Sequence, residues 1–253
     1  LLDAWGFVGV PIALVCGDAV RLLPALRDTV QGLASLRRPA TRALSDGLWQ
    51  MPSAAAGAAN PFVNRVLSAQ LGFGSLAILD LAEKAFTFMV LAFTQGLLPF
   101  WFRRWTAAKD QAERAGRVVR AAVVSLLGGA AGCVVASVVV IAVAPLLVGD
   151  ALDGSERVFA LATVAYMAGM PAQLTAQVLV RLVVLEGRTR LLNVSAAVQL
   201  AVNVVASVIL GGLWGIPGVA LATTVTAWVG LVAVAFFCRT EIAERRGAAV
   251  GAS

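Results

Sequence analysis

The sequence predicts an all-α fold, namely a polytopic membrane helix bundle with about seven transmembrane helices. The chain has 253 residues, of which 60% are hydrophobic and only 13% are charged, whereas soluble domains carry about 25% charged residues. The apolar residues are gathered into runs of about 20 or more, which polar connectors separate. Lipid offers no partner for backbone amides, so membrane spans must be helices or a closed barrel. Runs of this length favour helices.

Seven apolar runs define the predicted membrane helices in chain order. The fifth is expected to kink at Pro171, because proline lacks a backbone donor and crowds the preceding turn. A glycine-rich turn at 72–75 ends the second helix, an acidic loop at 149–157 follows the fourth, and a Gly-Ile-Pro-Gly turn at 215–218 precedes the seventh. The predicted spans cover about residues 4–23, 46–69, 76–102, 118–148, 158–185, 191–213 and 219–238.

The basic residues predict the orientation of the chain. Alternate connectors lie on the same side of a membrane, and Lys and Arg concentrate on the cytoplasmic side. One set of connectors holds seventeen of the 20 Lys and Arg residues, whereas the other set holds only Arg157. We therefore expect a multi-pass membrane protein in which the N-terminus of this chain lies outside and the C-terminus lies in the cytoplasm. An outside start also predicts that an odd number of helices precedes this chain.

The composition argues against several classes of function. The chain has no histidine, and Cys16, Cys133 and Cys238 lie far apart in apolar runs, so neither a metal site nor a disulfide is expected. The turn at 72–75 lacks the lysine of a phosphate-binding loop. We find no nucleophile motif and no catalytic residue, and therefore expect neither enzyme activity nor a cofactor. The basic residues behind the net charge of +6 lie in connectors, which indicates contact with anionic membrane lipids rather than nucleic acid.

A cluster of charged residues in the third predicted helix is the first candidate site. Asp80 and Lys84 are four residues apart and share a helix face, so they can form an ion pair, and Glu83 continues nearly the same face. Asn64 and Arg65 lie near the end of the preceding helix. Charged residues inside membrane helices are costly and usually functional. The cluster predicts either a cavity that offers a cation to an anionic substrate or an ion pair that only stabilises the helix.

Two polar stripes run along the fifth and sixth predicted helices. Gln173, Gln177 and Arg181 recur at every fourth position of the fifth helix. Such stripes must face other helices or water, because in lipid their amides would lack hydrogen-bond partners. For the sixth helix we favour hydrogen bonds between helices. The stripe there consists of Ser195, Gln199, Asn203 and Ser207.

The segment at residues 60–84 resembles the MurJ (MviN) lipid II flippases of the MOP exporter superfamily. That family has an Asp-Arg pair, a Gly-Ser turn and then an Ala-Asp/Glu-Arg/Lys element in the next helix. The matching residues here are Asn64-Arg65, Gly74-Ser75 and Ala82-Glu83-Lys84. One departure lies within this segment, since Asn64 stands where the family has an aspartate.

Two further segments carry the resemblance. Residues 178–190 are similar to a family motif that begins with arginine, although Val183-Val184 replaces its Phe-Tyr pair. The segment Gly-Ile-Pro-Gly-Val-Ala-Leu-Ala-Thr at 215–223 is a pattern common across the superfamily. Four positions of the first of these segments are in register, namely Arg181, Gly187, Thr189 and Arg190.

The resemblance covers about residues 45–238 and implies one lobe of a transporter with two six-helix lobes around a central cationic cavity. The seven helices would then be the sixth through twelfth of a fourteen-helix fold. The implied domains are a transmembrane helix before the lobe at 1–26, a cytoplasmic connector at 27–45, the six-helix C-terminal lobe at 46–238 and a cytoplasmic tail at 239–253.

By the same resemblance, the protein would be a flippase of the bacterial inner (plasma) membrane. It would move a polyprenyl-diphosphate-linked saccharide, lipid II or a related cell-envelope precursor, by alternating access. Its implied partners are this substrate, membrane lipids, and the missing N-terminal lobe or a second copy. Two alternatives stay open: a cation-coupled multidrug exporter of the same superfamily, and a non-transporting membrane scaffold or assembly partner. Arg65, Lys84 and Arg181 are expected to converge on one cavity. The full set of candidate cavity residues is Arg65, Lys84, Arg181, Glu83, Asp80, Asn64 and Gln177.

Overall fold

The computed structural model describes residues 39–72, 74–107, 111–152, 155–185 and 189–251. The predicted first membrane helix at 4–23 and most of the connector at 27–45 lie outside the described residues. The chain divides into two compact units, Leu1–Leu48 and Trp49–Ser253. The site described below lies entirely in the second unit.

All regular structure in the described residues is helical, which confirms the predicted all-α class. One of the described helical segments is a π-helical turn, Phe93–Leu97. The helices are α1 Pro39–Ala69, α2 Ser75–Ala92, α3 Leu98–Thr106, α4 Gln111–Leu152, α5 Glu156–Met167, α6 Met170–Leu185, α7 Thr189–Trp214 and α8 Ile216–Gly251.

Four stretches of the described residues are helical, long and apolar enough to cross a membrane. They coincide with the fourth to seventh predicted spans, and are Gly116–Pro145, Glu156–Val184, Arg190–Trp214 and Ile216–Arg239. The second and third predicted spans are helical, but their described residues do not form a helix that is both long enough and apolar enough to be counted with these four. The chain is therefore a membrane-type helical protein with four such spans in its described part, and the count of about seven remains a prediction.

Helix α8 lies at the centre of the second unit, where it packs against α5, α6 and α7. Helix α4 packs on the other side of α5 and α6, and α2 packs on α5. Small side chains allow these close contacts. An ideal Cβ on Gly129 of α4 would lie 2.8 Å from the Cα of Pro171 in α6, so any larger residue there would push the two helices apart.

Apolar side chains cover the outer faces of α4 and α7. Only 11% of the most apolar part of the α4 span is buried, compared with 61% for the span that contains α5 and α6. On α4, for example, Leu127 and Val135 are mostly exposed. A protein surrounded by water rarely exposes continuous apolar faces of this kind. These faces are the surfaces that we assign to lipid contact.

Candidate functional site

The helix that the sequence predicts at 158–185 is broken into α5 and α6 by two residues, Ala168 and Gly169. The Gly169 amide donates to the carbonyl of Tyr166 at 3.0 Å, three residues back instead of four. Pro171 lies in the first turn of α6, where its missing N–H costs little. The predicted kink is therefore present as a two-residue break just before the proline, within the apolar stretch Glu156–Val184.

Side chains of α8 bind the carbonyl groups that the break exposes. The hydroxyl of Thr224 donates to the carbonyl of Ala165, which has lost the Gly169 amide as its helical partner. The indole Nε1–H of Trp228 donates to the carbonyl of Ala168 at 3.2 Å. Broken helices inside membranes persist only where neighbouring groups satisfy the freed backbone in this way. The break is thus a supported feature of the fold.

A polar cleft lies beside the break, between α1, α2, α6, α7 and α8. It consists of two adjoining cavities of about 240 Å³ and about 210 Å³. Both are lined by Gly57, Asn60, Gln173 and Gln199, so they meet along a common wall. We call this feature the amide cleft, because five amide side chains line it: Asn60, Asn64, Gln173, Gln177 and Gln199.

Three buried oxygen atoms of the amide cleft lack a hydrogen bond of normal geometry to any described residue. They are Asn60 Oδ1, Glu83 Oε2 and Tyr166 Oη, and all three residues line the larger cavity. The Tyr166 hydroxyl lies close enough to Thr223 and Asn64 for weak contacts with both. The Tyr166 ring is held in place by stacking on Phe86, with ring centroids 5.8 Å apart. A buried acceptor without a partner costs about 1–3 kcal/mol. A ligand that brings hydroxyl or N–H donors would therefore be stabilised here.

A hydrogen-bonded network closes one side of the cleft and ties α1 to α7 and α8. Asn64 Nδ2 donates to Thr223 Oγ1 at 2.9 Å, and Asn64 Oδ1 accepts from Asn203 Nδ2 at 3.1 Å and from Ser207 Oγ at 3.2 Å. The Thr226 hydroxyl adds a bond to Asn203 Oδ1 at 3.4 Å. Asn64, Asn203 and Ser207 are all buried. Helix α7 is the sixth predicted helix, and its polar stripe consists of Ser195, Gln199, Asn203 and Ser207. The predicted hydrogen bonds between helices are confirmed for Asn203 and Ser207, which form one half of this α7 stripe.

The other half of the α7 stripe faces the amide cleft. Gln199 Nε2 donates to Ser195 Oγ at 3.0 Å, and both residues line the smaller cavity. The Gln199 side chain lies against Gly230 of α8, where an ideal Cβ would come within 2.6 Å of its Cδ. The absence of a side chain at Gly230 therefore sets the position of this amide.

The charged candidates form an ion-pair cluster next to the amide cleft. Asp80 accepts from Arg65 Nη2 at 3.0 Å and from Lys84 Nζ at 2.8 Å, so the predicted pairing of Asp80 with Lys84 is confirmed. The Arg65 and Lys84 side chains are 51% and 73% exposed. Among the described lining residues neither cation is present, but Arg65 directly follows Asn64 and Lys84 directly follows Glu83, which do line the cleft.

The structure divides the predicted site residues into three groups. Asn64, Glu83 and Gln177 line the amide cleft. Asp80 joins the two cations described above. Arg181 is exposed near the end of α6. Among the described residues, it neither lines the amide cleft nor takes part in the ion-pair cluster.

Sequence reasoning did not assign Asn60 or Tyr166 to the site. Tyr166 carried one usable signal, because it is the only tyrosine of the chain and lies in an otherwise apolar run. No group of three Asp, Glu, Cys or His side chains that could hold a metal ion occurs among the described residues. Comparisons with protein-family models, with curated proteins and with solved structures find no match for this chain.

Proposed function

We propose that the chain forms one lobe of a flippase that moves a polyprenyl-diphosphate-linked saccharide across a bacterial membrane, and that the amide cleft receives the saccharide. The observation that carries this proposal is a set of three buried oxygens in one cavity that make no hydrogen bond of normal geometry to a described residue, namely Asn60 Oδ1, Glu83 Oε2 and Tyr166 Oη. Sugar hydroxyls are donors that would satisfy them. Amide side chains such as Gln173 both donate and accept, as a hydroxyl group requires.

The ion-pair cluster offers donors for the diphosphate. Arg65 carries five N–H donors and Lys84 three, while Asp80 takes one contact from each. Two cations thus share one carboxylate, and most of their donors point to no acidic partner within the described residues. Charge-assisted hydrogen bonds of this kind are the usual means by which proteins hold phosphate oxygens.

The break between α5 and α6 supports a transport role. In transporters, substrate sites lie beside discontinuous helices, whose freed backbone groups line the cavity. Here Gly169 and Gln173 adjoin the break and line the larger cavity. A flippase of this type would move its substrate by alternating exposure to the two leaflets, and it would form and break no covalent bond. The proposed activity therefore needs neither a nucleophile nor a cofactor.

Replacement of Tyr166 by Phe provides the sharpest test. The protein, expressed from its complete reading frame, would be reconstituted into vesicles with a fluorescent polyprenyl-diphosphate disaccharide, and flipping would be followed by loss of protection from an external quencher. We expect Tyr166→Phe to slow flipping about tenfold, because one hydrogen bond of about 1.4 kcal/mol is lost. The melting temperature should fall only slightly, because the hydroxyl makes weak contacts with Thr223 and Asn64 and no hydrogen bond of normal geometry to a described residue.

The lipid-facing Trp214→Phe variant is the matched control and should flip at the normal rate. A polyprenyl diphosphate that carries no sugar should be insensitive to Tyr166→Phe. Normal flipping of the disaccharide by Tyr166→Phe and by Asn60→Leu together would remove the saccharide assignment.

A cation-coupled exporter is the second candidate function, and one observation favours it. The Glu83 carboxylate lines the amide cleft, whereas Arg65 and Lys84 do not appear among its described lining residues. An acidic cavity suits a cationic drug or a coupling ion. Glu83→Gln keeps the shape and one acceptor but removes the charge. Loss of cationic dye efflux in Glu83→Gln, with no flipping of lipid-linked sugar by the wild type, would favour the exporter.

A further inference from the structure

A second cleft, of about 400 Å³, lies between α3 and the start of α4. Its described lining consists of three arginines and four apolar residues, namely Arg104, Arg117, Arg120, Trp101, Trp105, Ala121 and Val124. We call it the arginine–tryptophan cleft. Among the described residues, none lines both this cleft and the amide cleft.

The charges of this cleft are only partly compensated. Arg117 forms an ion pair with Glu113 and donates to the backbone carbonyl of Arg104 at 2.8 Å. The Arg104 guanidinium lies over the Phe100 ring, 4.4 Å from its centroid. Arg104 and Arg120 are exposed and make no ion pair within the described part of the chain. Three guanidinium groups thus line one cleft, and among the described residues Glu113 is the only acidic side chain that pairs with any of them.

The cleft sits where a membrane span begins. The apolar span of α4 starts at Gly116, so Arg117 and Arg120 occupy its first two turns. Trp105 is almost fully buried, and Trp101 packs edge-to-face on Phe93 with ring centroids 5.8 Å apart. Tryptophan and arginine concentrate at the boundary between lipid headgroups and acyl chains. The cleft therefore combines a cationic rim with an apolar wall at the depth of the headgroups.

We propose that the arginine–tryptophan cleft binds the headgroup of an anionic phospholipid. The phosphate would lie among Arg104, Arg117 and Arg120, and the first acyl carbons would lie on Trp101 and Val124. Charge complementarity favours an anionic lipid over a zwitterionic one, and basic pockets between membrane helices are known to hold such headgroups. The apolar wall favours a lipid over free phosphate, which has no group to bury there.

Native mass spectrometry of the protein in detergent, expressed from its complete reading frame and titrated with phosphatidylglycerol, tests this site. One basic residue near an anionic surface is worth about fivefold in binding. We therefore expect Arg104→Gln or Arg120→Gln each to weaken retention of one lipid about fivefold, and the double variant to weaken it about 25-fold. Both side chains are exposed, so the variants should melt like the wild type.

Arg103→Gln is the matched control, because Arg103 is exposed on the same helix and does not line the cleft. It should change retention less than about twofold. Equal weakening by Arg103→Gln, or equal retention of phosphatidylcholine, would overturn the site. Displacement of the lipid by millimolar inorganic phosphate would show a simple anion site. Displacement by the lipid-linked saccharide at similar concentrations would make the cleft part of the transport route. Either displacement would overturn the proposal, whether or not the protein flips lipid.

Discussion

Asn64 of α1 and Asn203 of α7 are joined by a buried hydrogen bond of 3.1 Å, although 139 residues separate them in sequence. The same Asn203 side chain reaches the backbone carbonyl of Asn60, 3.4 Å away. This single residue therefore holds α1 against α7 at two points. Because Asn60 and Asn64 line the amide cleft, the bond also fixes one wall of the candidate site.

Replacement of Asn203 by Leu should destabilise the protein by about 1–2 kcal/mol, the upper end for hydrogen bonds between membrane helices. The substitution leaves Asn64 Oδ1 with Ser207 as its remaining donor and leaves the Thr226 hydroxyl with only its own helix. Thermal unfolding in detergent would measure the loss. Val204→Leu, on the exposed side of the same helix, should melt like the wild type; equal melting of both variants would contradict the network's role.

Alanine substitutions at two neighbouring glycines of α4 should have different effects on stability. Gly129→Ala should destabilise by about 1–3 kcal/mol, because the added Cβ would lie 2.8 Å from the Cα of Pro171. Gly128→Ala meets nothing within 4 Å and should be neutral or slightly stabilising, since alanine favours helix. Chemical denaturation of the two variants side by side makes the comparison. If both behave alike, α4 and α6 do not pack as described.

The orientation of the chain is tested by single cysteines at Thr106 and Ser155 in a background that lacks Cys16, Cys133 and Cys238. The distribution of basic residues predicts that Thr106 lies in the cytoplasm and Ser155 outside. We expect Ser155→Cys to react with a membrane-impermeant thiol reagent in intact cells, and Thr106→Cys to react only after lysis. The reverse labelling would invert the assigned topology.

Substitutions of Lys84 test whether its ion pair with Asp80 belongs to a substrate site or has only a structural role. In the vesicle assay, Lys84→Arg should retain flipping, because it keeps the charge and the contact with Asp80. Lys84→Gln should lose most of it, since its amide cannot replace a cation beside the diphosphate. The pair is exposed, so its loss should change stability by at most about 1 kcal/mol, and the pair of Asp80 with Arg65 remains. Normal flipping by Lys84→Gln would leave Lys84 with a structural role only.

Local patterns predicted much of the fold. The span predicted at 118–148 corresponds to Gly116–Pro145, and that at 191–213 to Arg190–Trp214, because long apolar runs depend on composition alone. The pairing of Asp80 with Lys84 followed from a spacing of four. The break in the fifth helix was predicted near Pro171 but falls at Ala168 and Gly169, since proline disturbs the turn before it.

The rest depended on contacts between distant segments. Asn203 and Gln199 belong to one stripe with a residue at every fourth position, yet Asn203 contacts another helix and Gln199 faces a cavity. The stripe could not predict this difference, because the difference depends on where α1 and α8 lie. The same holds for Asn60 and Tyr166, because tertiary packing decides which hydrogen-bond partners their buried oxygens can reach. The π-helical turn was also absent from the prediction, since no local pattern in Phe93–Leu97 marks it.

That π-helical turn sets the rotational phase between the two clefts. A π turn contains one more residue than an α turn, and each residue of an α-helix advances the side chains by about 100°. Without the extra residue, every side chain of α3 would be turned by about 100° relative to α2, and Trp105 would leave its place against α4. A one-residue deletion in Phe93–Leu97 would thus abolish the arginine–tryptophan cleft, although the deletion would remove none of the residues that line it.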